Sequence, residues 1–330
     1  MVEFVITENE AGQRLDRFLR KYMRKAPLSM IYKTIRKDLK VNGKRAHEDT
    51  LLQEGDCLTL YLPEQKLEEM TRVEPRKRVK RQFRIAYEDS NLLIVEKPAG
   101  LLTHGDSREK KNTLANQVCG YLQEKGEFLP AKEKSFVPSP VNRLDRNTTG
   151  LVIFGKNAEA LRSMTRYIRE RNCISKYYVT LVNGSLKERL VLQDRIARDY
   201  GRNVSQVTMD ADDGKSAETF VTPIAEKNGF SVVEVQLVTG RTHQIRVHLS
   251  HEGYPLVGDV KYGNRRANDM AKKRLGITTQ LLHAYQLAFN GLEDGFAYMN
   301  GKTVKAELPR EFQEALRKLG FARTDLEALL

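Results

Sequence analysis

Three short segments concentrate side chains able to do chemistry. The first runs Val141-Asn142-Arg143-Leu144-Asp145-Arg146-Asn147-Thr148-Thr149-Gly150 and holds one carboxylate, Asp145, two residues from Arg143 and next to Arg146. Neighbouring cations favour the ionised form of a carboxyl group, and an ionised carboxylate can serve as a nucleophile. Spacing alone leaves that reading open beside an ordinary ion pair on a surface loop. The second, Lys176-Tyr177-Tyr178-Val179, opens an apolar strand. A tyrosine there is either core or a surface on which an extruded base can stack. The third runs from Thr239-Gly240-Arg241-Thr242-His243-Gln244-Ile245-Arg246-Val247-His248 to Gly258-Asp259. Thr242 is placed to cap a helix that closes at Gly253, which would set His243 and Arg246 on one face at i, i+3.

His243, His248 and His251 raise the question of a metal. Their spacing is not His-x-x-x-His, and no acid stands where a metalloprotease helix needs one, so no metal is expected. A P-loop, a Gly-x-Gly-x-x-Gly turn, a cysteine pair and a Gly-x-Ser-x-Gly elbow are all absent from the sequence. No acidic cluster suggests two-metal nuclease chemistry. No cofactor is expected.

The elements that must position these residues can be read from apolar spacing. Leu15, Phe18, Leu19 and Tyr22 fall at i, i+3, i+4, i+7, as on an amphipathic helix. Ser29 is placed to cap a second short helix carrying Met30, Ile31 and Ile35. Asn42-Gly43 reads as a tight hairpin turn, and Leu58, Leu60 and Leu62 alternate as a closing strand. This unit ends near Pro63. Residues 64–83, with Glu68-Glu69 and the run Arg76-Lys77-Arg78-Val79-Lys80-Arg81, lack apolar periodicity and read as a basic linker. From residue 84 to 330 the pattern is mixed. Leu92–Val95, Leu151–Phe154 and the alternation Val233, Val235, Leu237 predict strands. Asn157 is placed to cap a helix bearing Leu161, Met164 and Ile168, and a last amphipathic helix surrounds Phe312, Leu316 and Leu319. Regular βαβ alternation is missing, so the expected fold is α+β with a mixed, mostly antiparallel sheet, preceded by a small α/β unit.

Composition bounds the partners. The 330 residues carry 56 Lys+Arg against 43 Asp+Glu, a net charge of +13 that suits a polyanion. From Arg14 to Arg45 there are twelve Lys/Arg and only two acids, Asp16 and Asp38. Cys57, Cys119 and Cys173 are odd in number and far apart, which gives no disulfide framework and fits a reducing cytoplasm. Glu3, Glu8 and Glu10 stand where a signal peptide would be basic and then apolar. No apolar stretch approaches the roughly 20 residues of a membrane span. A cytoplasmic protein with a polyanionic partner is the expectation, and nothing demands a dimer.

Taken together, the three segments resemble the ribosomal-RNA pseudouridine synthases, over roughly residues 84–300. Arg143-Leu144-Asp145 with Thr149-Gly150 is similar to that family's central motif, whose Asp is catalytic. Lys176 and Tyr178 match its Lys-x-Tyr motif, whose Tyr packs on the target base. Residues 239–246 match its third motif, whose final Arg pairs with the catalytic Asp. Lys97-Pro98-Ala99-Gly100 and Leu282-His283-Ala284 also look like family segments. Asn142 departs from the pattern, since many members carry His there. Residues 1–63 resemble the alpha-L RNA-binding fold. The resemblance implies isomerisation of uridine in RNA without a cofactor, with large-subunit ribosomal RNA favoured and transfer RNA behind it. Asp145, Tyr178 and Arg246 would be catalytic. Arg143, Lys176, Arg241 and His243 would meet RNA near the site, and Arg36, Lys37, Lys44 and Arg45 would meet it from the first unit. A non-catalytic RNA-binding factor would instead bind RNA and convert no uridine.

Overall fold

A computed structural model describes residues 1–72, 79–210 and 213–329. Arg76-Lys77-Arg78 of the predicted basic run lie outside the described residues. The chain begins with β1 (Val2–Val5), α1 (Leu15–Tyr22), α2 (Leu28–Lys37), β2 (Leu39–Val41), β3 (Cys57–Leu60) and α3 (Glu64–Thr71). The three strands form their own antiparallel sheet in the order β1-β3-β2. Leu15, Phe18 and Leu19 bury completely against Ile31, Ile35, Leu58 and Leu60, as their spacing requires. Asn42 and Gly43 have φ of 51° and 72°, the left-handed pair that a two-residue hairpin turn needs.

Two local expectations fail here. The second helix begins at Leu28 rather than after Ser29, because the Pro27 carbonyl already accepts from Met30 and Ile31. The segment read as a linker from residue 64 opens with α3, whose Leu67 is 4% exposed in the first unit's core. With Leu67 as its one fully buried residue, the helix left little periodicity to detect.

The remaining elements are β4 (Arg84–Glu88), β5 (Leu92–Lys97), α4 (Leu114–Glu124), β6 (Ser139–Pro140), β7 (Thr149–Gly155), α5 (Ala158–Glu170), β8 (Ile174–Asn183), β9 (Leu190–Asp199), β10 (Val204–Thr208), β11 (Lys215–Lys227), β12 (Phe230–Leu237), α6 (Gln244–His251), α7 (Arg265–Leu275), β13 (Leu282–Phe289), β14 (Thr303–Lys305) and α8 (Arg310–Lys318). Among the described residues, eleven strands make one sheet along the path β10-β9-β11-β12-β8-β13-β7-β5-β4, with β14 on β13 and β6 on β7. The expected mostly antiparallel α+β architecture is what forms. Helices α4 and α6 pack on one face, and α5, α7 and α8 supply the cores on the other. Both faces are therefore covered, which is why Val232 is as buried as Val233 and Val235 and strict alternation is lost on β12.

Among the named strands of the described residues, β13 and β7 pair in parallel, with His283 opposite Thr149 and Ala284 opposite Gly150. This pairing joins the two halves of the sheet. Gly150 has φ of 108°, and a Cβ there would lie 2.1 Å from the Ala284 carbonyl oxygen, so only glycine fits. Asn157 caps α5 as expected, accepting from the Ala160 amide. Asn9 accepts from the Ala158 amide and Gln13 donates to Ser135, so the first unit touches the second.

Candidate active site

The loop carrying Asp145 enters the seam between the sheet halves, and three side chains fix it. Thr103 Oγ1 donates to the Leu144 carbonyl and accepts from the Leu144 amide. Asn142 reaches along β7, accepting from the Ile153 amide at 2.9 Å and donating to the Leu151 carbonyl. At this position the departure from the family pattern is therefore a backbone tie. Lys97, 1% exposed, donates to the carbonyls of Pro98, Leu101 and Arg146 at 2.8–2.9 Å. Burial lowers its ammonium to about 7, against an upward pull from Asp145.

The third segment supplies the partner. Gln244 opens α6 and organises its entry: its Oε1 accepts from Thr239 Oγ1 and the Arg241 amide, and its Nε2 donates to Glu218 and Thr219. The expected cap, Thr242, is displaced by His243, which takes the left-handed conformation at φ 58°. His243 and Arg246 still converge on one target. Arg246 Nη1 donates to Asp145 Oδ2 at 2.8 Å, and His243 Nε2 lies 3.9 Å from the same oxygen. Burial lowers the His243 imidazole to about 4, Asp145 opposing and Arg246 assisting, so it is neutral at pH 7. The sequence neighbours play no such part: Arg146 pairs with Asp106, and Arg143 is exposed. The charge expected from positions 143 and 146 is delivered by residue 246.

Arg246 is itself 4% exposed and doubly held. Its Nε and Nη2 donate to Asp259 Oδ2 and Oδ1 at 2.6 and 2.9 Å, and its guanidinium lies 5.0 Å from the Tyr262 ring centroid. Asp259 is wholly buried and also accepts from the amides of Lys261 and Tyr262. Burial pushes its carboxyl up, but the Arg246 hydrogen bonds and charge with the two amides outweigh this and set it below the usual range. Tyr262 OH meets His243 Nδ1 at 2.7 Å and accepts from the Ser205 amide.

Tyr178, on β8, is 5% exposed and belongs to the cluster of Leu144 and Ile245. Burial, then the Asp145 charge, raises its phenol. Lys176 is buried, which lowers its ammonium to about 8. Arg241 Nε donates to the Ser216 carbonyl on β11. Arg36, Lys37, Lys44 and Arg45 are exposed on the first unit. Asp145, Tyr178, His243 and Arg246 thus come together. The sequence reading gave no role to Asp259, Tyr262 or Lys97, and Asp259 stood at the end of the third segment as the signal that was available. Among the described residues, no three His, Cys, Asp or Glu side chains group as metal ligands.

The profile of the family described as RNA pseudouridylate synthase matches residues 91–251, from β5 through α6. The ribosomal large subunit pseudouridine synthase C of Vibrio parahaemolyticus is 32% identical over 296 residues, covering 87% of this chain and 88% of that protein. This chain belongs to the RNA pseudouridylate synthase family. The protein of the same name from Escherichia coli strain K12 is 31% identical over 326 residues, 96% of each chain. Human RNA pseudouridylate synthase domain containing 4 shares the fold at a TM-score of 0.56 and 24% identity, over 71% of this chain and 92% of that one. The synthase is therefore an isomerase that turns uridine in RNA into pseudouridine. Asp259 lies beyond the matched profile. Among its described residues, no helix of the synthase is long and apolar enough to cross a membrane.

Proposed function

We propose that this synthase modifies specific uridines of large-subunit ribosomal RNA in the cytoplasm, as a monomer, with Asp145 as its catalytic carboxylate. The supporting observation is a single partly exposed carboxylate, 27% accessible, held by a buried arginine in a protein of net charge +13. A site built only to bind a polyanion gains nothing from an anion there. The names of the curated relatives support the ribosomal target.

The reaction detaches uracil from ribose, turns it and rejoins it through carbon. The nucleotide must leave its stack, at a few kcal/mol. Tyr178 would pack on the flipped base and offset part of that, since such stacking is worth about 1–3 kcal/mol. Asp145 would attack ribose C1′ or uracil C6, or take a proton as a glycal forms. Arg246 orients it in each case. The test is a map of pseudouridines in a strain lacking this gene. One or more large-subunit sites should revert to uridine. Losses confined to transfer RNA would sink the ribosomal assignment, and an unchanged map would sink the whole proposal.

Residues 1–71 would act as a second RNA contact. Replacing Arg36, Lys37, Lys44 and Arg45 together by Gln removes four exposed charges without touching the core. If each meets a phosphate, the slope of log affinity against log salt should fall by about 3–4, and affinity at moderate salt by roughly 10–100-fold. The rate at saturating RNA should change little. Binding across a salt series checks this, and an unaltered slope would mean the unit touches something other than phosphate.

A further inference from the structure

Arg246 is shared by two carboxylates of different standing. Asp145 reaches solvent and offers one oxygen, whereas Asp259 is wholly buried, receives two guanidinium hydrogen bonds and is fixed by two backbone amides. The two acids cannot have the same task. Each route open to Asp145 strips it of charge. In attack on C1′, the Oδ–C1′ bond forms as the C1′–N1 bond breaks and its electron pair leaves with uracil. In attack on C6, the Oδ–C6 bond forms and the C5–C6 π pair moves onto the ring. In glycal formation, the carboxylate takes the C2′ proton, the C2′–H pair becomes the C1′=C2′ double bond, and the C1′–N1 pair leaves with uracil. The negative charge passes to the uracil every time. With Asp145 alone as its partner, Arg246 would then be a buried cation with nothing against it, a costly state.

We propose that Asp259 is the permanent counter-ion of Arg246, a positioning residue that lets Asp145 surrender its charge during the reaction without stranding a cation in the core. This rests on the assignment of Asp145 above. Asp259 touches no substrate; it acts through Arg246. Sharing the arginine also keeps its attraction for Asp145 partial, so the carboxylate is oriented but can leave its ion pair.

The experiment is the single-turnover rate of the full chain on RNA carrying the target site, from acid to neutral pH, with Asp259→Asn. The amide can keep the backbone amides of Lys261 and Tyr262 as donors to its oxygen while removing the charge. The rate should fall roughly 10-fold, because the whole of Arg246 now holds Asp145. For the same reason the acid limb should move down by about one pH unit, since a stronger cation keeps the carboxylate ionised to lower pH. A mere prop predicts the opposite shift, because a loosened Arg246 would hold Asp145 less. A bystander charge predicts the shift with no loss of rate. Either result overturns the proposal. The titratable and charged groups facing Asp145 are Arg246 and His243 at the start of α6, Lys97 on β5, Tyr178 on β8 and Lys261. His243, lowered by burial to about 4, also titrates in acid, so the downward shift must survive in His243→Gln.

A second comparison does not depend on Asp259→Asn folding alone. In Arg246→Met, Asp259 is a stranded buried anion. Adding Asp259→Asn should then raise thermal stability and leave the residual rate unchanged. A further drop in rate, or no gain in stability, would overturn the counter-ion role. A wild-type chain that converts no uridine would overturn the assignment of Asp145; an active wild type with Asp259→Asn unimpaired would overturn only this inference.

Discussion

Asp145→Asn is expected to lower isomerisation by at least about a thousandfold while leaving RNA affinity within a few-fold of wild type. Asparagine matches the shape of aspartate and can still accept from Arg246 through its amide oxygen. The loop does not depend on the carboxylate for its course: Thr103 holds Leu144, Asn142 holds β7 and Lys97 holds the Arg146 carbonyl. What is lost is a nucleophile and proton acceptor, and nothing at that position can replace it. His243 Nε2 lies 3.9 Å from the same oxygen, and its Nδ1 is held by Tyr262 OH at 2.7 Å. Tritium release from RNA labelled at uridine C5 measures turnover, and filter binding measures affinity. Turnover within tenfold of wild type would remove Asp145 from its role.

Much of the framework was legible because local rules and tertiary contacts agree. The spacing of Leu15, Phe18 and Leu19, the Asn42-Gly43 turn and the Asn157 cap are each short-range signals that the fold keeps. Helix α3 was missed because its one fully buried residue, Leu67, depends on a core built from distant residues. The start of α6 was misplaced because Gln244, hydrogen-bonded to Glu218 and Thr219 on β11, overrides the local capping preference of Thr242. The site shows the same division. Asp145, Tyr178 and Arg246 could be singled out as types, but no spacing rule brings residues 145 and 246 together. That contact depends on the β7–β13 seam and on a glycine at position 150. Asp259 was the least visible. A carboxylate beside a glycine reads as a turn until the arginine it clamps is seen.

Arg246→Met should cost both rate and stability, and far more of each than Arg241→Met. Methionine keeps only the apolar stem, loses the guanidinium beside Tyr262 and leaves Asp259 with no cation, and breaking a buried pair in this way costs about 3–5 kcal/mol. Arg241 is only half-buried, and its recorded hydrogen bond is to the Ser216 carbonyl, so its loss should cost about 1 kcal/mol. If the Arg246→Met variant stays folded, Asp145 loses its 2.8 Å donor, and the rate at saturating RNA should fall by roughly a hundredfold or more. Arg246→Lys sharpens the test. A lysine keeps the charge but cannot span Asp259 with two donors and Asp145 with a third, because its ammonium is a single point rather than a fork. It should therefore recover part of the stability and little of the rate. Thermal unfolding and single-turnover kinetics on the same preparations separate the two losses. Equal impairment of the two methionine variants without unfolding would leave the choice of Arg246 without support. Full recovery by lysine would mean that charge alone, and not the fixed fork between two carboxylates, is what the site requires.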